Sequence, residues 1–274
     1  MPMSSSSQVM LVPENSKNSL AVNMTITNGY LRYNDSIDPV LSNLNMVMPA
    51  RQWTCILGRS GCGKTSMLRY LAGLLDQQVT WSGALSISAN NRELPDLSNQ
   101  IAYMAQQDLL LPWLSVLDNV TLSSKFGAKT SKAGKDKALT LLAKVGLADN
   151  AHHFPQQLSG GMRQRAALAR TLMQDKPVVL MDEPFSALDA VTRYRLQDLA
   201  CELLKNKTVV LITHEPQEAI RLADQIYIMQ GNPAAAERLQ VPSTATPRPF
   251  DAECAQLQQQ IMTCLAQEYG TEHE

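Results

Sequence analysis

The sequence avoids extremes, and each thing it lacks removes a class of function. Formal net charge is −1 over 274 residues. No run of like charges stands out, so the basic face that a nucleic-acid partner requires is missing. No apolar run approaches the length needed to span a bilayer. The N-terminus has no charged segment followed by a long apolar one, so no secretory leader is expected. The five cysteines, Cys55, Cys62, Cys201, Cys254 and Cys264, have no paired metal spacing. A reducing compartment is the simplest reading of them. His152, His153 and His273 lack partners at metal-ligand spacing and read as surface residues. No internal repeat occurs. What remains is a chain with ordinary apolar content, long enough for one large α/β domain or one domain with a small annex.

The strongest local signal is Gly58-Arg59-Ser60-Gly61-Cys62-Gly63-Lys64-Thr65, which fits the phosphate-binding pattern G-x-x-x-x-G-K-[ST]. Trp53 to Leu57 before it reads as a buried strand. After it, Met67, Leu68, Leu71 and Leu74 fall at helical spacing. The glycines let the backbone bend so that its N–H groups point at a phosphate, and the following helix offers its positive end. Lys64 can reach the β- and γ-phosphates, and the Thr65 hydroxyl can ligate Mg²⁺.

Along the chain, Met1 to about Asn18 is polar and serine-rich, including Ser4 to Ser7, and is expected to be a flexible tail. Val22, Met24 and Ile26 alternate with polar residues as a strand, and Val40 to Met48 gives a second strand pattern. Trp81-Ser82-Gly83 looks like a turn before a strand over Ala84–Ser88, and Asn90-Asn91 like another turn. Ile101 to Met104 is a short strand running into Gln106. From Val116 to about Pro155 the texture is helical. Asp118, Leu122 and Phe126 are placed to share one face, and Ala138, Leu141, Leu142 and Val145 form a stripe closed by Gly146. Gly160-Gly161 opens a helix. Pro177–Met181 and Thr208–Ile212 are continuous apolar runs, as strands covered on both faces require. Ala190–Leu204 and Glu218–Ala223 read as helices, and Gln225–Met229 as the last core strand. Prolines 242, 247 and 249 mark a linker before a short helix over Cys254–Leu265.

Three of the buried strands end in chemistry. Trp53–Leu57 leads into the glycine loop, Val178–Met181 into Asp182-Glu183, and Val209–Ile212 into Thr213-His214. If the three are parallel, these groups gather on one sheet edge, where ligands of open α/β sheets sit. Asp182 then suits a Mg²⁺ site and Glu183 the activation of an attacking water. The alternative for the acid pair is a solvated strand end, and for His214 a structural histidine. Ser159-Gly160-Gly161 at a helix start is either an anion site of bare N–H groups or an ordinary N-cap.

Leu158-Ser159-Gly160-Gly161-Met162-Arg163-Gln164-Arg165 resembles the LSGGQ-type signature of ABC-transporter ATPases, with Met162 where Gln is commonest. Gln106 is similar to the family's Q-loop residue, Asp182-Glu183-Pro184 to its Walker B segment, Ser186-Ala187-Leu188-Asp189 to its D-loop, and His214 to its switch histidine. The resemblance spans roughly Met24 to Gly231. It implies an α/β P-loop NTPase fold with an N-terminal antiparallel β region and an inserted helical subdomain over about 107–160. The nucleotide-binding domain would cover 19–232, with 233–274 as linker and short helix. It implies ATP and Mg²⁺ as ligands. Tyr33 would stack on adenine. Gly58, Arg59, Ser60, Gly61, Cys62, Gly63, Lys64, Thr65 and Ser66 would bind the nucleotide, and Thr65, Gln106 and Asp182 the metal. Glu183, His214 and Gln106 would be catalytic. Ser159, Gly160, Gly161 and Asp189 would complete the site across a head-to-tail homodimer. Arg51-Gln52 departs from the Gly-Glu common in relatives, which puts only that turn in question.

The stretch Gln106 to Val120 resembles the importer branch for nitrate, sulfonates, taurine and pyrimidine thiamine precursors. Its Leu110, Leu111 and Trp113 are expected on the surface, as a groove for a transmembrane permease or else as subdomain core. The resemblance implies a peripheral place on the cytoplasmic face of the inner membrane, an indirect link to a solute-binding protein, and no nucleic acid. A non-transport ABC ATPase serving as an assembly scaffold and the ATPase of an exporter stay as alternatives. A relative in DNA repair or translation would need a coiled coil or a second cassette, which this sequence lacks. The stretch after Gly231 is short for the regulatory domain that sugar importers often carry.

Overall fold

The computed structural model describes residues 20–125 and 131–270. The serine-rich tail, Phe126 and His273 lie outside them. The order of elements is β1 (Val22–Tyr33), β2 (Leu41–Met48), β3 (Trp53–Gly58), α1 (Lys64–Leu71), β4 (Val79–Ala89), β5 (Arg92–Leu94) and β6 (Ile101–Met104). Then come α2 (Val116–Val120), α3 (Leu122–Lys125), α4 (Lys132–Lys144), α5 (Gly160–Met173), β7 (Val178–Asp182), α6 (Ala190–Leu203), β8 (Thr208–Ile212), α7 (Pro216–Leu222), β9 (Gln225–Gln230), β10 (Ala235–Leu239) and α8 (Ala252–Gly270).

Two sheets form. One is antiparallel, in the order β2-β1-β4-β5, and the other runs β10-β9-β3-β8-β7-β6. In the second sheet β9, β3, β8, β7 and β6 are parallel, and only β10 is antiparallel to its neighbour. Successive side chains of a strand point to opposite faces. Cys55, Leu57, Val179, Met181, Val209 and Leu211 therefore enter a core shared with the helices. Ile56, Val178, Leu180, Val210 and Ile212 enter a second core shared with α1 and the antiparallel sheet. Burial on both faces is why these strands read as unbroken apolar runs.

Four features differ from the sequence reading. Trp81-Ser82-Gly83 is not a turn but the middle of β4. The register between β1 and β4 shifts between Thr27 and Tyr30, opposite Gly83. Gly83 has φ +99°, and a Cβ there would stand 2.4 Å from Asn28 O. This glycine therefore marks a bulge. The helix expected to carry Asp118 and Leu122 on one face is interrupted at Thr121, between α2 and α3, and Phe126 lies outside the described residues. Asp118 instead serves the start of α2, where its N–H donates to Ser115 Oγ. The core sheet continues past Gln225–Met229 into β10, and α8 has 19 residues, longer than expected. Arg51 takes φ 59° in the turn before β3, and its N–H donates to Thr208 Oγ1 at 3.0 Å.

The last helix is docked, not appended. Cys254, Leu257 and Ile261 recur at helical spacing and are buried in the helix-side core. Arg248 in the preceding linker donates to Ile220 O, Ala223 O and Pro242 O. Truncating the wholly buried Ile261 to Ala should lower unfolding free energy by about 2–4 kcal/mol. Urea denaturation of the full chain measures this, and an unchanged midpoint would mean that α8 is not part of the folded unit.

Candidate functional site

The parallel arrangement of β3, β7 and β8 brings the ends of three strands to one edge. Thr65, in the first turn of α1, donates through Oγ1 to Asp182 Oδ2 at 2.8 Å. Lys64 is buried. Its ammonium donates to Gly58 O at 2.7 Å and Arg59 O at 2.6 Å and lies 3.8 Å from Cys62 Sγ. None of these partners carries a full negative charge, so the loop holds a desolvated cation that an anion would stabilise. Burial pushes the Asp182 carboxyl above the ordinary range, against the Thr65 hydrogen bond that pulls it down. A cation beside Asp182 would relieve this.

Among the described residues, no cluster of three or more His, Cys, Asp and Glu can hold a metal ion by itself. The Thr65 hydroxyl and Asp182 carboxylate nevertheless fit Mg²⁺, which takes one or two protein oxygens and completes its shell with phosphate and water.

Next to this pair, two side chains converge on one oxygen of Glu183. Gln106 donates through Nε2 to Glu183 Oε2 at 3.2 Å, and His214 Nδ1 lies 3.2 Å from the same atom. Glu183 adopts φ 49°, a conformation that L residues other than Asn and Asp rarely take. It is fixed there by its own N–H to Ile212 O at 2.9 Å. Gln164 adds a second hold, donating from α5 to Glu183 O at 3.3 Å and Pro184 O at 3.0 Å.

The signature segment opens α5. Ser159 caps α5, accepting from Met162 N at 3.3 Å. A Cβ on Gly161 would stand 3.2 Å from Ala187 O, so glycine allows α5 to pack closely on the Ser186–Asp189 segment. Gly160 is exposed. Asp189 caps α6 through Oδ1 and Thr192 N at 3.0 Å, which holds its carboxyl below the ordinary range. Tyr33 ends β1 half-buried, its hydroxyl 2.9 Å from Ser66 Oγ, beside the start of α1.

After Gln106 the chain is pinned to α5. Arg163 Nε donates to Asp108 Oδ2 at 3.0 Å. Arg170 donates to Asp108 O at 2.6 Å and Leu109 O at 2.7 Å. The buried amide of Asn119 donates to Leu111 O, Leu114 O and Ser115 O and accepts from Leu111 N. This corrects the expected surface. Of the three residues expected there, Trp113 is 70% exposed, Leu111 half-buried and Leu110 buried, while Leu109, with φ 46°, is 57% exposed.

Gln164, Asn119, Arg163 and Arg170 were not singled out in the sequence, since nothing in their spacing separates them from solvated polar residues. The same holds for Glu218. It is buried on α7 and accepts from Gln197 Nε2 at 2.8 Å. Burial raises its carboxyl above the ordinary range. The folded chain thus binds this proton more tightly than the unfolded chain, and stability falls as pH rises from about 4.3 through the raised value. Glu218→Gln should remove that slope. Compared by urea midpoints, the variant should gain on the wild type as pH increases from 4 to 8; parallel profiles would contradict the burial argument.

The comparisons with known proteins agree with this geometry. The ABC transporter family model matches residues 41–186. The chain is 41% identical over 237 residues to an uncharacterized ABC transporter ATP-binding protein of Haemophilus influenzae, covering 85% of this chain and 93% of that one. It is 40% identical over 238 residues to the aliphatic sulfonates import ATP-binding protein SsuB 1 of Paracoccus denitrificans, covering 86% and 90%. The solved dimeric ATP-binding cassette MJ0796, in a post-hydrolysis state bound to ADP and Pi, superposes with a TM-score of 0.67 at 31% identity. That match covers 79% of this chain and 99% of the other. With a phosphate loop, an acidic strand end and a signature helix on this fold, the chain belongs to the ABC transporter family, as an ATP-binding and ATP-hydrolysing subunit.

Proposed function

We propose that the chain powers a bacterial importer for a small solute of the nitrate, sulfonate, taurine or pyrimidine thiamine-precursor type. Relatives named as aliphatic sulfonates import ATP-binding proteins favour an aliphatic sulfonate. The observation that carries the catalytic reading is the convergence of Gln106 and His214 on one carboxylate oxygen of Glu183, next to the Thr65–Asp182 pair. In this reading Gly58 to Ser66 bind the triphosphate, with Lys64 released from its carbonyl partners to the β- and γ-phosphates. Tyr33 stacks on the adenine. Thr65, Asp182 and Gln106 would hold Mg²⁺, which when bound would supply charge neutralisation for the transferred phosphoryl group. Glu183 accepts a proton from the water that attacks the γ-phosphorus, as the bond to the ADP oxygen breaks. His214 contacts the γ-phosphate and orients the Glu183 carboxylate.

The signature of one protomer meets the nucleotide held by its partner in a head-to-tail homodimer. Ser159, Gly160 and Gly161 supply N–H and hydroxyl donors, and Asp189 meets the partner's loop. The exposed Leu109 and Trp113 form the permease-facing surface. Among the described residues no helix is long and apolar enough to cross a membrane. The place proposed with the importer reading is peripheral, on the cytoplasmic face of the inner membrane, with a separate binding protein supplying the solute. The domain limits that go with this reading are 1–18, 19–232 with the helical insertion at about 107–160, and 233–274.

Glu183→Gln should retain ATP binding, lower turnover by at least about 100-fold and trap an ATP-bound dimer in gel filtration. Unchanged turnover would remove Glu183 from the chemistry. Ser159→Phe should abolish ATP-dependent dimerisation while leaving ATP binding by the monomer intact; a normal dimer would exclude the cross-protomer arrangement. A ligand screen on the cognate binding protein would identify the solute, and failure of any sulfonate to bind would exclude that class.

A further inference from the structure

The tip of the phosphate loop, Arg59 to Cys62, opens onto a cleft of about 730 Å³, within the range of small-molecule sites. The loop is not its only wall. The β1–β2 connection from Ser36 to Val40 and the β9–β10 turn around Gly231 also line it, and so do Cys264 and Gln267 of α8. These two residues do not reach the cleft by fraying. The helix is anchored one and two turns earlier by the buried Leu257 and Ile261, and Gln230 Nε2 donates to Cys264 O at 3.3 Å, joining α8 to the β9–β10 turn. Cys264 is half-buried and Gln267 exposed toward solvent. Gln267 thus offers an amide donor and acceptor on a cleft that Arg59, Ser60, Gly61 and Cys62 of the loop also line.

We propose that the last turns of α8 are a wall of the nucleotide site, and that Gln267 contacts the bound nucleotide. This rests on the reading that Gly58 to Ser66 bind ATP. The C-terminal helix then senses occupancy of the site: a nucleotide holds α8 down, and displacement of α8 loosens the nucleotide.

Charge at position 267 tests this. Mg-ADP affinity of the full chain is measured by calorimetry at low ionic strength for the wild type, Gln267→Glu and Gln267→Lys. An anion facing phosphate should weaken binding, and a cation should tighten it, each by about 3- to 10-fold, with both effects collapsing in high salt. A merely structural helix would move both variants in the same direction. Affinities within 1.5-fold of wild type would overturn the inference while leaving nucleotide binding intact. A wild-type chain that binds no ADP would overturn the ATP reading, and this one with it. Should the charge variants not fold, alkylation of wild-type Cys264 by N-ethylmaleimide decides, followed by mass spectrometry with the half-buried Cys201 on α6 as internal reference. Saturating Mg-ADP should slow Cys264 labelling at least about fivefold and leave Cys201 unchanged. Equal slowing of both, or of neither, would sink the proposal.

Discussion

Burial on both faces leaves β3, β7 and β8 nowhere to place chemistry except at their ends. Each of their apolar side chains belongs to one of two cores that share the parallel sheet as a common wall. A charged residue within these strands would be desolvated without partners, at a cost of several kcal/mol. The first position at which a carboxylate is tolerated is where the sheet stops, and Asp182 occupies it, with Glu183 one step beyond. Parallel pairing then aligns this end with the glycine loop after β3 and Thr213-His214 after β8. The site follows from the packing rule that makes the sheet stable.

The same edge is built under electrostatic tension. Lys64 is buried among carbonyl oxygens, and Asp182 is a carboxyl that burial has made reluctant to ionise. Each is the wrong charge for a dry protein interior and the right charge for a phosphate or a metal ion respectively. The arrangement stays folded because the surrounding strands fix it.

Much of this was legible in the sequence for reasons that can be named. Phosphate binding needs glycines and a lysine at fixed spacing, and doubly buried strands need unbroken apolar runs; both leave local marks. Features that depend on long-range approach did not. Gly83 looked like a turn because glycine serves turns and bulges alike, and only the partner strand tells which. Leu110 and Leu109 differ by one position in an apolar run, and which is exposed goes with a backbone conformation at Leu109, whose carbonyl accepts from Arg170, 61 residues away. Gln164 could not be told from a solvated polar residue. β10 was missed because Ala235-Ala236-Glu237-Arg238-Leu239 carries no strand pattern of its own. It is an edge strand whose identity comes from pairing with β9.

The polar residues least visible in the sequence are those that tie the sheet edge at Glu183 to the rest of the chain. Gln164 connects the signature helix to the backbone of Glu183 and Pro184. Arg163 and Arg170 connect that helix to the segment after Gln106, whose side chain reaches the same glutamate. The helix that begins at Asp189 is joined to the helix that follows His214 by buried Gln197–Glu218 and by Arg221, which donates to Gln197 Oε1 at 3.0 Å. Hydrogen bonds between buried groups are costly to leave unmade, so these helices cannot shift one at a time without opening such a gap. The Leu109–Trp113 surface and the helix capped by Ser159 are thus joined to Glu183 through hydrogen bonds of which Gln164 to Pro184 O is buried, whereas those of Gln106, Arg163 and Arg170 are part-buried or exposed. These links, buried at Gln164 and Gln197 and open to solvent at Gln106 and Arg170, join the edge of the sheet to the surfaces around it.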